Sequence, residues 1–239
     1  MRTFGKIFDD VVSGYKKMWC LENQILYDLC ENHPGHKTDN EIIAKICLIG
    51  RAYAAAIERR KNANEKDEVD FYTKVVKIIK DANFDKAFKD LDKKEDGVFE
   101  KYFTVLRAFH QISGMNKISL ASKYLHFHFP NEYYIYDSRA ASSIGKLIRY
   151  LNDKGAKIKT KDYEVNDKWK AERYYLKEYD GQKKNRLIEY IHFYNEASVC
   201  VNKIKELFGY DLCPRDLCPR NLDSLLLAIE GGQVPEISG

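Results

Sequence analysis

Residues 131–146, NEYYIYDSRAASSIGK, carry an acid, Asp137, from an apolar strand-like run (Tyr133, Tyr134, Ile135, Tyr136) into a helix-forming one. An aspartate there has two uses. It caps the helix by accepting its first free amides, a task Ser138 could share, or it serves as a working carboxylate in a half-buried cleft. A second group lies in IGRAYAAAIERR, 49–60. Arg51, Tyr53, Glu58 and Arg59 surround four alanines, and Arg51 and Glu58 are seven apart, on one face over two helical turns. An arginine fork suits a carboxylate or a phosphate. The plainer reading is a tight helix pair with solvated ends; the sharper one has Arg51 and Tyr53 facing the same cleft as Asp137. Gly50 is read as mid-helical, where glycine costs about 1 kcal/mol relative to alanine, and so marks close approach of a backbone or ligand. The third group is KYLHFHF, 123–129. His126 and His128, two apart on a helix, point in different directions and make poor joint metal ligands. Lys123, His126 and Tyr133 could meet a phosphate or a base; the alternative is core packing with one ring hydrogen-bonded.

The elements that must position these groups read as helices. Phe4, Ile7, Phe8, Val11, Val12, Tyr15, Met18 and Trp19 recur at helical spacing, followed by Ile25, Leu26 and Leu29, until HPGHK ends the run. Thr38 with Glu41 predicts a capping box, and a helix is expected from there through 61, striped by Ile42, Ile43, Ile46, Ile49, Tyr53 and Ile57. Further helices are expected over 67–83, 83–91, 97–113, 117–129, 138–152, about 183–208 and 221–230. Period-2 alternation at 155–166 allows a small β-hairpin or a basic surface loop. A tandem DLCPR, containing Pro214 and Pro219, predicts a turn before the last helix. No Pro/Gly/Ser linker appears, so the chain reads as one all-α domain, 1–239, that allows a waist between 1–110 and 111–239.

The chain has 239 residues, 44% hydrophobic and 32% charged, a globular balance with material for a core. Net charge is +4, but residues 139–188 hold 14 Lys/Arg against 7 Asp/Glu, so the rest is net negative. A positive segment on an acidic body suits an anion binder, nucleic acid above all, or is simply a solvated lysine-rich loop. No apolar run approaches the roughly 20 residues that span a bilayer, so no membrane partner is expected. Six scattered cysteines and the absence of a signal-type leader predict a cytoplasmic protein with reduced thiols. Phosphate-loop, dinucleotide and serine-elbow signatures are lacking. Cys213 and Cys218 have no convincing partners, so neither cofactor nor metal is expected.

Residues 112–140, ISGMNKISLASKYLHFHFPNEYYIYDSRA, resemble the helix-hairpin-helix DNA glycosylase superfamily. Ile112–Asn116 stands where that family's glycine-rich hairpin would be, Ser119 at the hairpin threonine, and Ile135-Tyr136-Asp137-Ser138 where its apolar run ends in an acid. Gly114 and Asp137 are 23 residues apart, as in the family pattern. The resemblance implies that amides around Gly114–Asn116, helped by Lys117, hold a phosphate. Ser119, Lys123, Ser138, Arg139, Lys146 and Arg149 would extend the nucleic-acid surface. Tyr133, Tyr134 or Tyr136 would stack on an extruded base. Asp137 would stabilise positive charge developing on the sugar, or activate water. Asn116 replaces the second hairpin glycine. The lysine of bifunctional members would fall near Ile118, with Lys117 and Lys123 out of register, so the resemblance implies a one-step base-excision hydrolase without lyase chemistry. The family's iron–sulfur cysteine spacing is absent. Two other readings stand beside it: a non-catalytic DNA- or RNA-binding module on the same scaffold, and an unrelated all-α interaction or stress-response protein.

Overall fold

The computed structural model describes residues 3–59, 68–92, 94, 97–162, 184–210 and 221–238. The DLCPR tandem, Cys213, Cys218, residues 163–166 of the hairpin candidate and much of the basic segment lie outside the described residues. All regular structure among the described residues is helical. The order is α1 (Phe4–Asn32), α2 (Asp39–Ala52), α3 (Glu68–Ala82), α4 (Phe84–Leu91), α5 (Gly97–Ser113), α6 (Ile118–His128), α7 (Ser138–Asp153), a 3-10 turn (Thr160–Asp162), α8 (Lys184–Phe208), α9 (Asn221–Glu230) and α10 (Pro235–Ser238). The described part of the hairpin candidate, 155–162, holds no strand. Lys157 has φ 56 and Asn152 bonds both the amide and the carbonyl of Ile158, which curls the chain into the 3-10 turn.

The chain divides into two compact units, one of residues 1–21 and 134–239, the other of 22–133. The waist allowed by the sequence, at 110/111, falls inside α5; the division instead crosses α1 and separates Tyr133 from Tyr134.

In the first unit α7 packs against α8 and α9, and α10 lies on α7 and α9. Leu147, Leu151, Leu225 and Ile229 are fully buried. Phe4 stacks on Phe208 at 4.4 Å and meets Tyr210 edge-on at 5.9 Å. Such aromatic pairs add about 0.5–1.5 kcal/mol beyond area burial.

In the second unit α5 carries the packing against α3, α4 and α6, and α2 lies on α3 and α6. The capping box forms as the sequence predicts: Glu41 N donates to Thr38 Oγ1 (3.3 Å), and Thr38 N to Glu41 Oε2 (3.1 Å). Asn83, in the left-handed region at φ 48, caps α4 through Lys86 N. Pro130 follows the end of α6, where Phe129 N still reaches Leu125 O (2.7 Å).

Two expectations are corrected. Helix α2 stops at Ala52, nine residues short, because Ala54 takes φ 51 and Ala55 N turns back to Gly50 O (2.8 Å). Ile25 does not join the apolar face of α1. It is exposed, and around it Asn23, Leu26, Tyr27 and Cys30 are buried instead.

Candidate functional site

In the first unit Asp137 sits at φ −152, ψ 178 as the N-cap of α7. The amides of Arg139 and Ala140 both donate to its Oδ1, each at 3.0 Å. A carboxylate there also matches the positive end of the helix dipole. Asp137 is half-buried and Ser138 exposed. The capping role is therefore realised through one oxygen; Oδ2 is not used by these two amides. Tyr136 buries its ring edge-on against Tyr190 and Phe193, and its hydroxyl donates to Glu189 Oε2 (3.0 Å). Tyr134 is half-buried, its ring tilted against Tyr194 at 5.3 Å. Arg139 is paired: its guanidinium meets Glu230 Oε2 at 2.9 Å, which offsets part of the positive charge at the head of α7. Lys146 is half-buried and Arg149 exposed on the same helix.

The second unit gathers most of the remaining predicted residues. Helix α5 ends at Ser113, and Gly114 follows with φ 67, a conformation that glycine adopts without a Cβ penalty. Its amide returns to His110 O (2.7 Å), while Ser113 Oγ accepts from Met115 N (3.2 Å). Asn116 and Lys117 complete the turn into α6, and Lys117, the N-cap residue, makes no side-chain cap bond. Its ammonium instead donates to Ala56 O (2.8 Å). Burial lowers the Lys117 pKa, nearby Arg59 adds to this and Glu58 opposes it. Lys123 is buried and donates to Ser119 Oγ (2.7 Å), with its ammonium 5.5 Å from the Tyr53 ring centre.

The Arg51–Glu58 pair forms, but through a turn and not along a helix face. Glu58 Oε1 accepts from Arg51 Nε (2.9 Å) and from the Tyr72 hydroxyl (2.9 Å), with Arg51 Nη2 at 2.6 Å. Burial works to raise the Glu58 pKa, but its own amide, Tyr72 and Arg51 outweigh this and hold it below the usual carboxylate range. Glu58 Oε2 and Asn116 Oδ1 are buried with no hydrogen-bond partner among the described residues. Gly50 marks a close backbone approach, as its position suggested, though at a helix end: a Cβ there would lie 3.2 Å from Ala56 Cα. Tyr53 donates its hydroxyl to Asn23 Oδ1. Arg59 is exposed. Arg51 and Tyr53 thus belong to the second unit and Asp137 to the first.

His126 is a core residue with both ring nitrogens bonded. Nδ1 donates to Tyr133 O (2.6 Å), so Nε2 accepts from the Tyr27 hydroxyl (2.5 Å). Tyr133 is buried too, its hydroxyl on Val98 O (2.8 Å). The rings of Tyr133 and Tyr136 are therefore core, and of the three candidate stacking tyrosines Tyr134 is the most open.

Sequence reasoning missed a polar chain in the same unit that runs from the exposed Asp85 to buried His36 and Tyr124. His36 Nδ1 donates to Asp85 Oδ1 (2.6 Å), and His36 Nε2 accepts from the Tyr124 hydroxyl (2.5 Å). The His128 ring stacks on His36 at 5.4 Å. Burial and the nearby Lys45 push His36 down to about 4, and His128 also falls, again chiefly by burial. Lys45, fully buried, donates to His33 O (3.0 Å) and Gly35 O. In sequence HPGHK signals only a helix stop, and a lysine among the isoleucines of α2 carries no sign of burial. Tyr72, the second side-chain partner of Glu58, was equally silent.

No family model matches the chain, and neither a curated protein nor a solved structure matches it. What stands is a class: an all-α protein of two compact units. Among the described residues no helix is long and apolar enough to cross a membrane.

Proposed function

We propose that this protein acts on nucleic acid, as a base-excision glycosylase of the one-step kind, with Asp137 as its carboxylate. The reading is carried by one ordered set of parts. A helix ends in a left-handed glycine, Gly114; a short turn enters α6; a turn at 130–132 and the non-helical aromatic residues 133–136 follow; and a half-buried aspartate heads α7. This is the order on which the resemblance to helix-hairpin-helix glycosylases rests. In that role the amides at the start of α6 take a backbone phosphate, because the first amides of a helix have no internal partners, whereas those of Gly114 and Met115 already bond His110 O and Ser113 Oγ. Asp137, fixed through Oδ1, meets the cation emerging on the sugar with a charge already in place. Arg149 and Lys146 supply long-range attraction for the phosphate chain.

A second reading, a binding module without chemistry, draws on one observation: Asp137 already has a sufficient structural task in capping α7. The two separate in one experiment. Wild type and Asp137→Asn are titrated with modified and mismatched duplexes, and free base is measured. Asparagine still caps, so the fold and duplex affinity are expected to persist while base release disappears. Salt-sensitive binding with no base release by wild type would select the binding module. No affinity for nucleic acid at moderate salt would remove both.

A further inference from the structure

The loop 53–59 and the turn 114–117 are joined by one side chain. Lys117 stands at the mouth of the turn, where a lysine is the obvious phosphate contact. Its ammonium nevertheless donates to Ala56 O (2.8 Å), within the unit. That carbonyl is itself held. Arg59 N also reaches it (3.4 Å), and Ala55 N bonds Gly50 O (2.8 Å). The absence of a side chain at position 50 lets Ala56 lie against α2. The far end of the loop is fastened by Glu58 Oε1, which takes donors from α2 through Arg51 and from α3 through Tyr72. Glu58 is bonded to Arg59, the Arg59 amide reaches Ala56 O, and Ala56 O takes the Lys117 ammonium, so each link is a bonded neighbour or a hydrogen bond.

We propose that Lys117 is a positioning residue and not a phosphate ligand, and that Glu58 is the hub of its seat. Arg51 and Tyr72 fix Glu58, Glu58 fixes the 53–59 loop, and the Ala56 carbonyl sets the turn into α6, whose first amides would face a phosphate. The task of the turn rests on the proposed nucleic-acid function; the mechanical link from Glu58 to the turn does not.

Two measurements on the full chain test this. The first needs no nucleic acid. In Glu58→Gln the backbone amide resonances of Met115, Asn116 and Lys117 are expected to move, with cooperative melting retained. If Glu58→Gln does not fold, Tyr72→Phe removes one donor to Oε1 without changing charge and carries the same expectation. Unmoved turn amides overturn the proposal. The second follows duplex affinity against salt for wild type and Lys117→Met. A positioning role predicts affinity several-fold weaker with the same slope of log affinity against log salt. A phosphate ligand predicts a slope smaller by about one contact. A reduced slope, or an unchanged affinity, overturns the proposal. If wild type binds no duplex, the proposed function fails and the amide shifts alone decide the positioning role.

Discussion

Asp137 shows how one side chain supports two explanations that a substitution can part. Its Oδ1 satisfies two amides that α7 cannot satisfy internally. Asp137→Ala should therefore lose about 1 kcal/mol of stability, whereas Asp137→Asn should stay close to wild type, because asparagine caps about as well. Urea denaturation midpoints measure both. An equal loss in the two variants would mean that the charge, and not the cap, holds the helix start. Lys101 presents the complementary case of a buried cation. Its ammonium meets Asp92 and lies 3.3 Å from Glu132 Oε2 and 4.5 Å from the Phe129 ring centre, and its side chain is 2% exposed against 51% and 43% for the two acids. Both acids can return to water when the lysine is removed. Lys101→Met should then cost less than the roughly 3–5 kcal/mol typical of breaking a fully buried pair. The check is the same denaturation series, and a loss in that upper range would show that the acids are trapped.

At the scale of elements, the two ends of α2 were encoded differently. The capping box of α2 is local chemistry: Thr38→Ala should lower stability by about 1 kcal/mol, read from the thermal or urea midpoint. The other end of α2 is set by packing. Alanine at position 50 would gain up to about 1 kcal/mol in helix propensity. Yet its methyl would press on the Ala56 backbone at 3.2 Å. The loop cannot yield freely, since Ala55 N and Lys117 Nζ both hold it. Gly50→Ala is therefore expected to destabilise. A stability equal to or above wild type would show that the loop gives way and that the seat of Lys117 is soft.

Across the whole molecule, buried histidines set the acid limit. His36 is held near 4 in the folded chain, below its ordinary 6.5, because burial and Lys45 disfavour its cation. A group whose folded pKa is depressed contributes stability that is complete above the unfolded pKa and is lost as pH falls towards the folded one. For His36 the window runs from about 6.5 down to about 4 and is worth about 3 kcal/mol by the proton-linkage relation. His128 acts in the same direction. Asp85, lowered by its bonds to His36 against the pull of burial, adds a loss only below its ordinary 3.8. Denaturation free energies at a series of pH values should fall across the histidine window, and His36→Phe should flatten that slope. An unchanged slope in the variant would place the acid sensitivity elsewhere. Burial also pushes the Cys30 thiol up to about 12, so it contributes no charge in this range.

The sequence by itself determined the helices, because their signals are local. A 3.6-residue apolar period, the Thr38–Glu41 pair, Gly114, Pro130 and Asp137 each act within one turn of chain. It also brought forward Arg51, Glu58, Gly50 and the acid at the head of α7, since their types are unusual for their places. Only the tertiary structure decided what those residues touch. Tyr72 joins Glu58 from another helix, Lys117 turns to Ala56, the Tyr133 and Tyr136 rings enter the core, and Asp85 finds His36 across 49 residues. The physical reason is that burial and long-range hydrogen bonding depend on which surfaces meet. No periodicity along a single chain records that.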